Sequence, residues 1–228
     1  MRILIVAATE PELWPLISDY GFSAFESPDN NGLKILKSSS RFPAVEILIT
    51  GVGMVATAFA LGRHRVGNSY DLLLNLGIAG SFEPSIPLGE IIEVQEDTMA
   101  ELGAEDGKDF LTIDQLGFGE GKFYPSTGLS NLYNLFNNFH LRKANAVTVN
   151  TVHGDETSIA ATAKRLNPQI ESMEGAAFFY ACKQLNLPCI QIRAVSNYVE
   201  KRNRDNWQIG LAIKNLNNFA VEFLKLYG

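Results

Sequence analysis

The residues best suited to chemistry lie in a few short segments. In I-E-S-M-E-G-A-A, from Ile170 to Ala177, Glu171 and Glu174 flank Met173 just ahead of an alanine-rich helical pattern. A carboxylate at a helix start is stabilised by the free backbone amides there. Glu174 therefore reads either as a cap or as a group aimed at a ligand. Glu10 and Glu12, just after the first apolar run, present the same alternative. Carboxylates so placed can take a proton or stabilise a developing positive charge without a metal. In R-A-V-S-N-Y-V-E, the apolar run C-I-Q-I-R-A-V ends on Ser196 and Asn197. A buried amide without a partner costs roughly 1–3 kcal/mol, so Asn197 either caps a turn or holds something that comes and goes. N-L-G-I-A-G-S-F, Asn75 to Phe82, reads as a strand entering a glycine-rich turn whose small residues, Ala79 and Gly80 among them, leave room for a flat ring. Each signal is weak alone. Together they place Glu12, residues 77–82, Met173–Glu174 and Asn197 after four strands, at one edge of one sheet.

T-G-V-G-M-V-A, Thr50 to Ala56, fits the dinucleotide fingerprint G-x-G-x-x-A. That fingerprint wants an acid about 20 positions on, at the carboxyl end of the next strand. Asp71 has the distance but precedes the run Leu72–Leu76, at the wrong edge. The glycines keep a general meaning, close backbone approach to a ligand or a helix.

The elements that must position these residues follow from periodicity. Strand-length apolar runs recur at Ile3–Ala8, Leu33–Leu36, Val45–Thr50, Leu72–Leu76, Ile91–Val94, Ala146–Thr151 and Cys189–Val195. Several are continuous, which predicts strands covered on both faces. Helical patterns lie between them at Pro11–Asp19, Val55–Arg65, Leu129–Phe139, Ser158–Leu166, Glu174–Leu185 and Trp207–Tyr227, the first with Thr9 and Glu12 in capping-box spacing. The alternation predicts an α/β fold of three layers, α/β/α, as one domain over residues 1–228. Glu101–Gly121, with its five glycines, reads as a long loop, a lid or a subunit contact.

The chain has 228 residues, 46% hydrophobic and 19% charged, with formal net charge −6. An acidic surface speaks against nucleic acid as a partner. No apolar run reaches 18 residues, so no membrane span is expected, and M-R-I-L-I-V-A-A-T-E-P-E reads as a first strand, not a signal peptide. Cys182 and Cys189, one on a helix and one on a strand, read as buried thiols of a cytoplasmic protein rather than metal ligands.

The motifs A-A-T-E-P-E, T-G-V-G-M-V-A, N-L-G-I-A-G, S-M-E-G-A-A and R-A-V-S-N, in this order, resemble the nucleoside phosphorylase and nucleosidase superfamily. The likeness covers nearly the whole chain. Within the superfamily, E-S-M-E-G and S-N-Y-V-E-K-R-N-R-D-N-W, Ser196 to Trp207, resemble the futalosine hydrolase branch of menaquinone biosynthesis. The methylthioadenosine/S-adenosylhomocysteine and aminodeoxyfutalosine nucleosidases and the purine nucleoside phosphorylases are the alternatives. The resemblance implies a nucleoside phosphorylase-like fold with a mixed, partly barrel-like central sheet. It implies no metal and no organic cofactor, a small-molecule nucleoside substrate, and a homodimer or higher homo-oligomer.

It also implies roles. Glu12 activates the attacking water, and Met173 and Glu174 meet the ribose, with Glu174 accepting from the 2′-hydroxyl. Ala79 and Gly80 lie beside the base, and Ser196 and Asn197 at its N7 side. No arginine pair near the start is placed to hold phosphate, which favours water as the nucleophile. The nucleosidase cousins end the last motif in aspartate. Asn197 offers an amide N–H to a 6-oxo group, so hypoxanthine is the expected base. A benzoate carboxylate on such a substrate would meet Arg41, Lys34, His153 or Arg202, between which the sequence does not choose.

Overall fold

The computed structural model describes residues 1–25, 32–38, 41–64, 70–126 and 136–228. In chain order the elements are β1 (Ile3–Ala7), α1 (Glu10–Asp19), β2 (Phe22–Ala24), β3 (Lys34–Ser38), β4 (Val45–Ile49), α2 (Met54–Arg63), β5 (Leu72–Ser81) and β6 (Ile91–Met99). They continue with β7 (Gly103–Asp106), β8 (Asp109–Thr112), β9 (Lys122–Phe123), β10 (Arg142–Thr148), α3 (Glu156–Leu166), β11 (Ile170–Ser172), α4 (Gly175–Leu185), β12 (Cys189–Tyr198) and α5 (Ile209–Tyr227). Most of the expected helix Leu129–Phe139 lies outside the described residues.

The main sheet runs β11-β10-β6-β12-β5-β1-β4-β3-β2, with β9 on β6. It is mixed, because β1, β4, β5 and β12 are parallel while β3, β6 and β11 oppose their neighbours β4, β12 and β5. β11 pairs with β10 on one side and β5 on the other, so β11, β10, β6, β12 and β5 close on themselves. Half of the sheet is thus a small barrel. Alternation along the strands feeds two cores. Ile3, Ile5 and Ala7 of β1 pack with α1 and α5, while Leu4 and Val6 pack on the other face with α2 and α4. Helices on both faces of one sheet make the three layers expected from the alternation.

Four expectations about elements need correction. The stretch 101–121 is not a plain loop. Its first half is the hairpin β7–β8, closed by Gly107 and Lys108 with Gly107 at φ 65°, the backbone a tight hairpin turn demands. Asn75–Phe82 is not a turn, because β5 runs unbroken to Ser81. β12 likewise continues through Tyr198, with a bulge between Val195 and Asn197 that re-aims the side chains there. The fourth concerns direction. β1, β5 and β12 deliver their carboxyl ends to one edge, but β11 runs against β5, so Met173 and Glu174 arrive from the opposite side.

Candidate active site

A cavity of about 350 Å³ opens where β1, β5, β11 and β12 end. Glu12, Ala79, Gly80, Met173, Glu174, Ser196 and Asn197 all line it. Val52, His153, Glu171, Arg202 and Trp207 line it as well.

Glu12 sits on the first turn of α1. Its Oε2 accepts from the Thr9 N–H and the Thr9 hydroxyl, both at 2.9 Å, and its Oε1 accepts from the Ile78 N–H at 3.2 Å. The Thr9 N–H contact is half of the capping box foreseen in the sequence. One carboxylate therefore starts the helix and faces the cavity. Burial pushes its pKa above the ordinary glutamate value, with Arg193 and the Thr9 bond opposing and Glu174 adding to the rise. A carboxyl raised in this way lies nearer neutrality, where a general base works best.

Beneath Glu12 lies Arg193, only 2% exposed. Its Nε donates to Gln191 Oε1 at 2.9 Å and its Nη2 to Asn75 Oδ1 at 2.5 Å. Gln191 Nε2 donates to Asp97 Oδ2 at 2.9 Å, and the Thr148 hydroxyl to Asp97 Oδ1 at 2.8 Å. The Ala176 N–H at the start of α4 donates to Thr148 Oγ1 at 2.8 Å. A polar chain thus crosses the barrel interior from Asn75 to α4. Asp97 is fully buried, and burial pushes its carboxyl up to about 6 against the pull of its bonds. Gly77 makes the arrangement possible, since a Cβ there would come 2.1 Å from Arg193 Nη1 and 3.1 Å from Glu12 Oε1. The glycine that reads as a turn signal is a clearance for the arginine.

Glu174 is the N-cap residue of α4, yet its side chain caps nothing. Its Oε1 instead accepts from the Gly53 N–H at 2.9 Å, across 121 residues of chain. The simple cap reading fails, and the T-G-V-G segment gains a purpose. Gly53 at φ 97° presents an amide that orients a buried carboxylate toward the cavity. Asn197 caps no turn either. Its Oδ1 accepts the Ser196 hydroxyl at 2.8 Å and its Nδ2 donates to the Tyr198 carbonyl at 3.0 Å. The second amide hydrogen is left for the cavity.

The phosphorylase superfamily model matches residues 2–226 of this chain. The chain belongs to the phosphorylase superfamily. Futalosine hydrolase of Streptomyces coelicolor is 33% identical over 220 residues, 93% of this chain and 91% of that protein. Futalosine hydrolase of Thermus thermophilus is 31% identical over 173 residues, 74% of this chain and 76% of that protein. Among solved structures, a 5′-methylthioadenosine/S-adenosylhomocysteine nucleosidase from Colwellia psychrerythraea in complex with adenine superposes with a TM-score of 0.80 at 22% identity, covering 99% of this chain and 95% of the other. The futalosine hydrolase of Helicobacter pylori superposes at 0.78 with 14% identity, covering 98% and 97%. Those likenesses support the mixed-sheet, partly closed superfamily fold.

The sequence reading missed several residues of this superfamily site. Arg193 is an arginine inside a run of buried strand residues, and a charge in such a run is itself a signal of a buried polar partner. Asp97, Gln191 and Thr148 carry no motif and come together only through the pairing of β10, β6 and β12. Of the four cations considered for a substrate carboxylate, His153 and Arg202 line the cavity, while Lys34 pairs with Glu10 and Arg41 lies over the Tyr20 ring. Asp71, dismissed for a ribose, accepts from the Arg2 N–H at 2.7 Å.

Proposed function

We propose that this protein is a purine nucleoside N-ribohydrolase that cleaves futalosine to hypoxanthine and dehypoxanthine futalosine in menaquinone biosynthesis. The observation that carries the reading is the 33% identity to a futalosine hydrolase sustained over 93% of the chain. The cavity lining supports it. Glu12 takes a proton from water as the water oxygen bonds to C1′ of the sugar. The C1′–N9 bond breaks, and its electron pair leaves with the base, which takes up a proton. Positive charge on the sugar grows during this step, and Glu174, beside the 2′-hydroxyl, stabilises it. Met173 packs on the ribose, and Ala79 and Gly80 form the wall against the base. Ser196 holds Asn197 so that its spare N–H meets the 6-oxo group. Arg202, lying over the Trp207 ring at 5.0 Å on the cavity wall, takes the benzoate carboxylate.

We further propose that the chain is one nucleosidase domain working as a homo-oligomer in the cytoplasm. Val52, Val55 and Phe59 leave an apolar strip beside the cavity, with Val55 82% exposed, and a second subunit would cover it. Cys182 and Cys189 are free thiols, as a reducing compartment keeps them. No helix among the described residues is long and apolar enough to cross a membrane. The test of the activity is base release from futalosine, aminodeoxyfutalosine, methylthioadenosine and inosine, with and without phosphate. Hypoxanthine from futalosine, independent of phosphate, is expected. Release that requires phosphate, or that occurs only from another nucleoside, refutes the assignment.

A further inference from the structure

One hydrogen-bonded pair on the cavity wall has no part in the chemistry above. The His153 N–H donates to Glu171 Oε1 at 3.0 Å, and His153 Nδ1 lies 2.5 Å from Glu171 Oε2. His153 Nε2 is 2.9 Å from the Thr162 hydroxyl on α3. The side chains are 11% and 4% exposed, and both residues line the cavity. Burying such a pair costs desolvation, so it calls for a use or a compensating set of bonds.

Its position in the sheet suggests the use. Glu171 of β11 and Asn197 of β12 both pair with Gly80 of β5, one on each side. A Cβ on Gly80 would lie 3.0 Å from Val199 Cγ2, 3.1 Å from Asn197 Nδ2 and 3.6 Å from Glu171 Cγ, so the Asn197 and Glu171 side chains flank the glycine together with Val199. Neighbouring strands are about 4.8 Å apart, so in this closed ring of five strands the two that flank β5 stand roughly 8 Å from each other. A planar heterocycle fits such a slot with one edge on the amide and the next on the carboxylate.

We propose that the Glu171–His153 pair reads the N1 edge of the purine and selects a base that carries a proton on N1. The inference rests on the reading that a purine nucleoside fills this cavity. Burial pushes the Glu171 carboxyl up, and its bonds from His153 pull it back down. In its ionised form the carboxylate only accepts hydrogen bonds, and its two oxygens have lone pairs beyond those His153 occupies. A 6-oxopurine presents N1–H beside its O6 acceptor, so Glu171 meets the first while the spare Asn197 N–H meets the second. Adenine presents a bare N1 lone pair, which would face a carboxylate oxygen, acceptor against acceptor. A site built to hydrogen-bond a group rejects the analogue that lacks it, because its own buried groups are then unpaired. His153 acts as a positioning residue. With Nδ1–H toward Glu171, its Nε2 accepts from Thr162, and this chain fixes the carboxylate in the plane of the slot.

Calorimetric binding of free hypoxanthine and free adenine tests the proposal without the sugar, the tail or turnover. The wild type should bind hypoxanthine at least about tenfold tighter, the worth of one charge-assisted bond. In Glu171→Gln the amide can offer an N–H to adenine N1, and the affinity ratio should fall by about 10- to 100-fold. His153→Gln, which leaves the carboxylate unbraced, should lower the ratio in the same direction and serves if Glu171→Gln does not fold. A ratio unchanged in the folded variant overturns the proposal, even where both affinities drop, because that is the mark of a structural role. Undetectable hypoxanthine binding by the wild type overturns it too. If futalosine is not cleaved yet base preference follows Glu171, the functional assignment fails alone. If futalosine is cleaved and preference ignores Glu171, this inference fails alone.

Discussion

Asn197→Asp is the most informative change at the base end of the cavity. The asparagine is pinned on both sides, by the Ser196 hydroxyl on Oδ1 and the Tyr198 carbonyl on Nδ2. Aspartate would set an oxygen where Nδ2 now lies, 3.0 Å from the Tyr198 carbonyl oxygen. Two bare oxygens at that distance repel, so the carboxyl group must keep a proton there or swing away. Either way the second N–H, the one aimed at a 6-oxo acceptor, is gone. Leaving the buried 6-oxo acceptor without its donor costs roughly 1–3 kcal/mol, or about one to two decades in a ratio of kcat/KM. The assay is chromatographic base release from futalosine and its 6-amino counterpart by both proteins. The 6-oxo to 6-amino ratio should fall by about 10- to 100-fold in the variant. The residual 6-amino activity should also decline as pH rises, because a protonated carboxyl is needed beside Tyr198. A ratio that stays within about threefold of the wild type refutes Asn197 as a base reader.

The other predictions concern the remaining acids and the assembly. Glu12→Gln should keep substrate affinity and lose at least ~100-fold in kcat, as expected for a general base; near-normal kcat would remove Glu12 from the mechanism. Since Glu12 must be ionised and its pKa is raised by burial, kcat/KM of the wild type should rise with pH through a midpoint above 4.5, and a midpoint at or below that value contradicts the assignment. Glu174→Gln keeps an oxygen for the Gly53 N–H but loses the charge, so kcat should fall with the fold intact; unchanged kcat and KM would leave Glu174 only a brace for the glycine segment. For Asp97 the sign follows from its raised carboxyl, since between 3.8 and about 6 the folded chain retains a proton that the unfolded chain has lost. Stability from this group is therefore lost as pH rises, by roughly 1.4 kcal/mol from about pH 5 to about pH 8, and Asp97→Asn should flatten the urea-melt series by about that amount. Sedimentation should show a dimer or larger assembly, and Val55→Glu on the exposed apolar strip should dissociate it.

The layers and the alternation were legible because long strands and helices repeat their burial pattern many times over. Leu72–Leu76 and Cys189–Val195 were found for that reason, and their extensions were missed because the pattern changes where the site begins. In β5 the glycines at 77 and 80 read as a turn, since turns are where glycine is commonest. The backbone there is ordinary strand, and the glycines serve neighbours that are distant in sequence, Arg193 at one and Val199 and Asn197 at the other. β2, β9 and β11 have three, two and three residues, too few for any period to show. The hairpin turn at Gly107 was a missed local signal, an Asp-Gly pair between short strands.

The site divides along a similar line. Groups that touch the cavity sit next to strand ends, in short local motifs, and the sequence shows them. Groups that set their charge do not, because they meet only in the folded barrel. Thr148 reaches Asp97 across 51 residues, Gln191 reaches it across 94, and Arg193 reaches Asn75 across 118. Yet the first set depends on the second. Glu12 in a dry pocket beside another carboxylate would hold its proton and could not take one from water. Arg193 is the positive charge that opposes both effects. The buried guanidinium of Arg193 is satisfied because Gln191 and Asn75 turn their oxygens toward it, and Gln191 can turn its oxygen that way because Asp97 accepts its amide. The pull that lowers the pKa of the base at the cavity, against its burial, therefore depends on a chain of polar side chains on three other strands, which no local pattern could have connected to it.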